Sequence, residues 1–266
     1  MHKYNFNFHK YTSYNKKILI NVLTEGEFNV TLYHDSDPLN QEYIFKYDKF
    51  IQKGLKEPLI FSPFKWIFYK NKNEATIKSK NGLEAIWKRY RDKYNKRELQ
   101  ASLLMHERLF FHTPRGLENY SFSYNIYLPF FINTPHDLKV DDIIEGIDWL
   151  LIPIDIPVNT HYKCKDINQS LITLEGWITL DKEKLDDLLT KDKFRNKAKD
   201  YHFSQDFSMD SEIKITLTSS DLQIKSCSFQ LEIIGKNLKE SMKYEIKRKE
   251  KRDPYTVTKF KIIDPY

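Results

Sequence analysis

The chain alternates hydrophobic and polar residues with a period of two over much of its length. The alternation is most regular from Tyr120 to Phe130, where Ser121, Ser123 and Asn125 separate the first large apolar residues. Because successive side chains of a β-strand point to opposite faces, this pattern predicts strands with one buried face. Short intervals between most segments favour antiparallel pairing. The other predicted strands are Tyr4–Phe8, Ile18–Val22, Phe28–Tyr33, Tyr43–Tyr47, Trp66–Tyr69, Ala75–Lys78, Thr160–Cys164, Leu171–Leu180, Glu212–Leu217, Gln223–Ile234, Met242–Lys247 and Tyr255–Ile263.

One predicted hairpin changes phase within its return strand. After the turn at 218–221, the apolar residues occupy even positions up to Ile224 and odd positions from Cys227 onward. One extra residue near Lys225 and Ser226 would reconcile the two halves, which predicts a β-bulge there. A bulge bends its strand, so the pattern favours a curved sheet or half-barrel.

Two longer segments have the three- and four-residue spacing of amphipathic helices. The first lies near 82–108 and carries Trp87, Tyr90 and Tyr94 on its apolar side. The second lies near 181–202, where Asp181 is suited to cap the N-terminus. Its apolar stripe is Leu185, Leu188 and Leu189, and a third, short helix is predicted from Val140 to Ile147.

These elements predict an α+β fold that is mostly β. We expect curved antiparallel sheets, of half-barrel or sandwich type, with two main helices packed on them. The mild enrichment of proline between residues 129 and 158 suggests an N-terminal half at 1–134 and a C-terminal half at 135–266. A single continuous domain is the alternative, since the length suits either arrangement.

The glycines of the chain exclude several phosphate-binding motifs. No two of them lie closer than 28 residues, and they stand at Gly26, Gly54, Gly82, Gly116, Gly146, Gly176 and Gly235. A Rossmann fingerprint, a P-loop and a nucleophile elbow all need closely spaced glycines. Gly26 and Gly235 are expected at strand ends, whereas Gly176 lies inside a predicted strand and indicates a close crossing of chains.

Composition points to a protein of a reducing compartment. Cys164 and Cys227 are the only cysteines, which is too few for a disulfide framework. The first residues show no apolar signal segment, so we expect a cytoplasmic protein without membrane insertion. Scarce alanine and glycine with abundant Lys, Asn and Ile suggest a bacterial or phage origin. The net charge of +6 permits an acidic partner without requiring one.

Histidine and cysteine spacing gives little support for a metal site. His106-Glu107 and His112 do not have the i, i+4 spacing of a zinc helix. His161 and Cys164 should point to opposite faces of one strand, although His202 and Cys227 are conceivable further ligands. Buried free thiols are therefore the preferred interpretation, and we expect no metal and no cofactor.

Two charged clusters remain as candidate sites. Asp141, Asp142, Glu145 and Asp148 cluster within eight residues. On a helix, Asp141, Glu145 and Asp148 would share a face that could hold a divalent cation, but acidic residues also suit the first turn of a helix without any ligand. The other cluster is a basic face of the first helix that suits phosphate contacts, but the interleaved aromatic residues belong to its apolar stripe. Its residues are Lys88, Arg89, Arg91, Lys93, Lys96 and Arg97.

The order of elements from Leu171 to Lys247 is strand, helix, bent hairpin, strand. In that order alone it resembles the half-barrels of bacterial lipoprotein carriers and related lipid-binding proteins, over less than a third of the chain and without motif residues. The resemblance implies a curved sheet wrapped around a helix and a cavity for an apolar ligand. Those proteins are exported behind a signal peptide, which the first residues here do not show.

The sequence thus favours a non-catalytic binding protein. Abundant strands, many tyrosines and the lack of a catalytic signature suggest a protein that docks another protein, as an accessory, immunity or structural component of a bacterial or phage assembly. The alternatives are a carrier of a small apolar ligand and a nucleic-acid binder that uses the basic helix face. An enzyme with a dispersed, motif-free site stays open, and so does the oligomeric state.

Overall fold

The computed structural model describes residues 2–33, 42–54, 59–61, 64–69, 74–78, 129–130, 132, 134–135, 137–146, 149–151, 156–199, 201–203 and 207–249. The predicted helix near 82–108 and the predicted strand Tyr255–Ile263 lie outside these residues, as does the strand from Tyr120 up to Leu128. The described part is mostly β, with a curved antiparallel sheet and two short helices, which confirms the predicted fold class.

The strands are β1 (His2–Tyr14), β2 (Lys17–Tyr33), β3 (Glu42–Lys53), β4 (Leu59–Phe61), β5 (Phe64–Tyr69), β6 (Glu74–Lys78), β7 (Ile143–Glu145), β8 (Trp149–Leu151), β9 (Ile156–Ile167), β10 (Leu171–Leu180), β11 (Ser208–Thr218), β12 (Ile224–Ile234) and β13 (Leu238–Arg248). The helices are α1 (Lys182–Leu189) and α2 (Asp192–Ala198). Neither described helix has the length and apolar character that a bilayer crossing requires.

The described strands form one open antiparallel sheet in the order β6-β5-β3-β2-β1-β13-β12-β11-β10-β9-β7. Two short strands lie off this path, since β4 pairs with β3 and β8 pairs with β9. Most neighbours are consecutive in the chain, as in a meander, but β1 lies between β2 and β13. The pairing of β1 with β13 therefore joins strands from both halves of the sequence, and the division at residue 134 stays a prediction.

Four β-bulges interrupt the register among the described strands. In β12, Ser226 lies opposite Thr216 but Ile224 lies opposite Leu217, so Lys225 is an extra residue. This confirms the bulge predicted from the change of phase. The same reasoning identifies extra residues in β2, β3 and β9, at Leu19, Asp48 and Lys165. Because each bulge bends its strand and increases the local twist, together they curve the sheet.

The inner face of the sheet is the face that carries Tyr4, Phe28, Tyr162 and Tyr244, which are its largest fully buried side chains. Large rings fill this face by stacking, as in the pair Phe229 and Tyr244, whose centroids are 4.7 Å apart. The helices contribute to the same core. Their buried residues in it are Leu185, Phe194 and Ala198, followed by Tyr201 in the segment after α2.

The predicted helix near 181–202 forms two helices that are separated at Thr190 and Lys191. Its predicted cap is confirmed, because an oxygen of Asp181 accepts a hydrogen bond from the backbone N–H of Lys184 at 3.0 Å. That bond satisfies a donor that the first helical turn leaves free.

Two local predictions are wrong. The segment predicted as a helix from Val140 to Ile147 contains strand β7, whose central Ile144 is buried between exposed neighbours while it pairs with β9. Gly26 does not precede a strand but lies inside β2, opposite Phe6 of β1 and Phe50 of β3. Pairing on both sides supplies the hydrogen bonds that override the weak strand propensity of glycine. Gly235 does end β12, as predicted, and its N–H donates to the carbonyl of Leu238.

Candidate functional site

Two turns are tied together at one end of the sheet. In the β9–β10 turn, the side-chain oxygen of Asn168 accepts from the backbone N–H of Leu171 at 2.9 Å. In the β11–β12 turn, the N–H of Ser219 donates to the carbonyl of Ser170 at 3.0 Å, and its hydroxyl donates to the carbonyl of Asn168 at 3.1 Å. Asn and Ser are suited to such local bonds with the backbone. The two turns therefore form one fixed unit.

The β11–β12 turn is also fixed from within. Asp221 accepts hydrogen bonds from the hydroxyl of Thr218 and from the backbone N–H of Gln223. Leu222 has a left-handed backbone with φ of 52°, which residues with a Cβ rarely adopt. Surrounding bonds must hold such a residue in place, so this turn has a single preferred geometry.

A cavity of about 350 Å³ opens beside these turns, and we refer to it as the end groove. Its volume lies at the lower end of the roughly 300–1,000 Å³ that is typical of ligand pockets. Its wall is apolar apart from two serines and one carboxylate. The lining residues are Pro135, Leu138, Ile167, Ile172, Ser219, Ser220, Asp221 and Leu222.

A charged cluster adjoins the end groove at Asp221. The second oxygen of this carboxylate lies 3.7 Å from Nε2 of His2 and 3.8 Å from Nη1 of Arg248. Burial alone would raise the pKa of Asp221, but the hydrogen bonds from Thr218 and Gln223, together with the charges of Arg248 and His2, lower it overall. Asp221 therefore keeps its negative charge at neutral pH.

Tyr4 is the inner-face neighbour of this cluster, because it lies directly opposite Arg248 in the β1–β13 ladder. Burial raises the pKa of its phenol strongly, while the positive charge of Arg248 opposes that change. Among the described residues, neither the Tyr4 hydroxyl nor Nη1 of Arg248 has a hydrogen-bond partner. This end of the inner face thus holds a buried phenol next to the charged cluster.

One exposed aliphatic side chain belongs to the groove itself. Ile167 lines it and is 37% exposed, and its neighbour in the β9–β10 ladder is Ile172, another lining residue. Val140 and Ile143 are also exposed, but Ile143 lies opposite Lys163 on the outer face of the sheet and is not part of the groove.

A second group of side chains that could take part in catalysis lies on the outer face of β9 and β10. Nδ1 of His161 is 2.8 Å from a carboxylate oxygen of Glu145, and Nε2 is 2.9 Å from the hydroxyl of Thr179. The imidazole also stacks on Trp177, with ring centroids 5.4 Å apart. The order acid, imidazole, hydroxyl is that of a hydrolase triad. Acyl transfer also needs N–H donors for an oxyanion, and next to Thr179 the backbone N–H of Ile178 already donates to the hydroxyl of Ser211 at 2.8 Å.

No local pattern indicates this arrangement in advance, because it depends on register between three strands. Glu145 lies opposite His161, which in turn lies opposite Trp177. The residues are 16 positions apart in each case, and no local pattern connects them. We interpret the group as a means of fixing the His161 ring on the sheet.

The predicted metal candidates are separated in the structure. Cys164 and Cys227 are buried free thiols, and burial raises the pKa of both. Cys164 lies on the inner face, opposite to His161, as strand alternation predicts. Within the described residues, no three His, Cys, Asp or Glu side chains come close enough to hold a metal ion.

The acidic cluster from Asp141 to Asp148 does not share a helix face, because β7 replaces the predicted helix. Asp141 pairs with Lys163 at 2.8 Å, and the hydrogen bond and charge of that lysine lower its pKa. Asp142 accepts from the backbone N–H of Lys139, and Glu145 contacts His161. Asp148 lies outside the described residues. Each described carboxylate of the cluster thus has a separate partner.

Two further candidates lie outside the described residues and stay predictions. One is the His106, Glu107 and His112 group, and the other is the basic helix face. The basic residues concerned are Lys88, Arg89, Arg91, Lys93, Lys96 and Arg97.

Comparison with known proteins assigns this chain to no family, since neither a protein-family model nor a curated protein matches it.

Proposed function

We propose that this protein is a non-catalytic binding protein that docks another protein at the end groove. The observation that carries the proposal is a cavity of about 350 Å³ between tied turns, in which five of the eight lining residues are apolar and one of them, Ile167, is 37% exposed. Anchor residues of protein interfaces insert into such pockets, and neighbouring apolar contacts exclude water around them. Because the turns are held by their own hydrogen bonds, little ordering is needed on binding.

The lining of the groove suits a partner that presents an apolar side chain next to a hydrogen-bond donor. Five of the eight lining residues are apolar, and Asp221 with two serine hydroxyls supplies acceptors at one end. Few precisely placed polar groups in an apolar pocket are typical of sites that fix the orientation of what they bind.

We also propose a setting for this protein, which is the cytoplasm of a bacterium or a phage assembly. There it would act as an accessory, immunity or structural component. Two buried free thiols and no disulfide among the described residues fit a reducing compartment. The composition of the chain, poor in alanine and glycine, supports the bacterial or phage origin.

Affinity capture with matched variants tests the proposal. The full chain is used as bait beside Leu138→Asp and Ile167→Asp, which place a charge in the groove, and beside Glu212→Ala on an exposed part of β11. A specific partner should bind wild type and Glu212→Ala, and titration calorimetry should show at least a tenfold weaker Kd for both groove variants. Equal binding by all four proteins would contradict the proposal.

A small apolar ligand is the second candidate, because the same five apolar residues line the groove. Organic extraction of the purified protein followed by mass spectrometry distinguishes the two. A stoichiometric ligand that is absent from Leu138→Asp would identify a carrier, whereas extracts without a ligand favour protein docking. Binding to nucleic acid stays a separate prediction, for which the test is a steep loss of affinity with salt.

A further inference from the structure

A buried carboxylate joins the helix layer to the sheet. Glu240 of β13 is 1% exposed on the inner face, and its Oε2 accepts a hydrogen bond from the Tyr201 hydroxyl at 3.0 Å. Its Oε1 lies 3.5 Å from the hydroxyl of Thr12, which is its direct neighbour in the β1–β13 ladder. Both partners are neutral hydroxyls rather than cations. A carboxylate that is ionised in such a place lacks the compensation that buried charges need.

Tyr201 stands at the joint between the helices and the sheet. Its backbone N–H donates to the carbonyl of Ala198 at the end of α2. Its ring stacks on Phe203, with centroids 5.7 Å apart, and Phe203 in turn contacts Phe207, just before β11 begins. His202 lies between Tyr201 and Phe203 in the sequence. Its backbone is left-handed, with φ of 48°, which a residue with a Cβ adopts only under constraint.

We propose that Glu240 and Tyr201 form a proton-dependent latch, in which the protonated carboxyl keeps Tyr201 closed on the sheet and the ionised carboxylate releases it. The protonated acid can donate from one oxygen to Thr12 while the other accepts from Tyr201, so all its polar atoms are satisfied. The ionised form requires water, which reaches this carboxylate, 1% exposed in the closed state, only when Tyr201 moves away.

The surroundings of Glu240 favour its neutral form. Burial is the largest effect and raises its pKa, whereas the charge of Lys10 on β1 and the hydrogen bonds from Tyr201 and Thr12 oppose that effect only in part. From β12 the facing neighbour in the ladder is the apolar Ile233, and from the helix layer it is the Tyr201 phenol. The open segment exposes Glu240 and restores an ordinary pKa. The closed state therefore binds the proton more tightly, and rising pH favours opening.

Hydrogen exchange of the full chain, followed by mass spectrometry from pH 4 to pH 8, tests the latch. We measure the exchange rate of peptides covering 192–203 in wild type and in Glu240→Gln at the same pH. The ratio of the two rates cancels the intrinsic pH dependence of hydrogen exchange. We expect a constant ratio at the acid end and a rise of up to about tenfold per pH unit above the ordinary carboxyl range. Glu245→Gln, on the same strand but the opposite face, should behave as wild type.

A ratio that does not change with pH would overturn the proposal. Tyr201→Phe supplies a second test, which does not depend on the folding of Glu240→Gln. Loss of its hydroxyl alone should give fast exchange of 192–203 at every pH. Slow exchange in Tyr201→Phe, with the pH profile of wild type, would also overturn the latch.

Discussion

Gly176 of β10 lies directly beneath the ring of Tyr162, which belongs to the neighbouring strand β9. A Cβ at position 176 would be 2.6 Å from Cδ1 of Tyr162 and 2.8 Å from the carbonyl oxygen of His161. Real Cβ atoms do not approach other heavy atoms that closely. The absence of a side chain at 176 therefore allows a fully buried tyrosine to lie flat across β10.

Gly176→Ala should lower the free energy of unfolding by about 1–3 kcal/mol, the usual cost of overfilling a packed core. The backbone of β9 cannot move away without breaking the ladder, so the strain has no easy release. Urea unfolding followed by circular dichroism measures the change. Glu175→Ala, the preceding residue on the outer face, is the control. Equal stability of the two variants would show that the inner face has room at this position.

Tyr4→Phe should leave the free energy of unfolding unchanged or raise it by up to about 1 kcal/mol. The Tyr4 hydroxyl is buried and has no hydrogen-bond partner among the described residues, so its removal relieves an uncompensated desolvation. Tyr201→Phe is the matched comparison, because that hydroxyl donates to Glu240, and it should cost about 1–2 kcal/mol. Thermal unfolding of both variants gives the two changes. A marked loss of stability in Tyr4→Phe would show that the Tyr4 hydroxyl does make a stabilising hydrogen bond.

Glu27→Gln should reduce the acid sensitivity of the protein. Hydrogen bonds from Lys249 and Lys3 lower the pKa of Glu27 from 4.5 to about 2, at Nζ–oxygen distances of 2.5 and 2.8 Å. The folded state thus favours the ionised form, whose contribution is complete above pH 4.5 and is lost as the pH falls towards 2. For a partly exposed pair we expect about 0.2–1 kcal/mol.

Denaturant midpoints between pH 2 and pH 7 test the role of Glu27. Wild type and Glu27→Gln should differ at pH 7 and converge as the pH approaches 2. Glu245→Gln removes a carboxylate from the outer face of β13 and serves as the charge-matched control. A difference that stays constant over this range would mean that the pairing of Glu27 adds nothing to stability.

Asp181→Ala should destabilise the protein by about 1 kcal/mol through loss of the helix cap. The carboxylate accepts from the N–H of Lys184 and also pairs with its ammonium at 3.0 Å. Glu183→Ala, in the first turn of α1 but not at the cap, should cost less. Hydrogen exchange of peptides from 182–189 locates the effect. Faster exchange elsewhere without a change in α1 would be inconsistent with a capping role.

Local patterns in the sequence were sufficient for strand β10, the bulge in β12 and the helix cap. The predicted strand Leu171–Leu180 has the observed bounds, because the alternation of buried and exposed residues extends over its whole length. Lys225 was identifiable as an extra residue since a bulge changes the parity of every later position. The cap at Asp181 depends on a residue only three positions away. In each case the determining interaction is short in sequence.

The errors arose where pairing between distant strands decided the outcome. The segment Asp141–Glu145 is too short for a helical period to be distinguished from the period of a strand. Its hydrogen bonding with β9 makes it a strand. Gly26 has the local character of a turn, yet β1 and β3 hold it inside β2 from both sides. Propensity is weak compared with hydrogen bonds to two neighbouring strands.

The sequence by itself determined which residues face the core, because burial follows a period of two that each strand carries within itself. Only the tertiary structure decided which strands are neighbours and which side chains meet across them. The end groove, the contact of Tyr201 with Glu240 and the group around His161 each unite residues from separate segments. Periodicity specifies a face but not a partner, since register between strands is set by packing over the whole sheet.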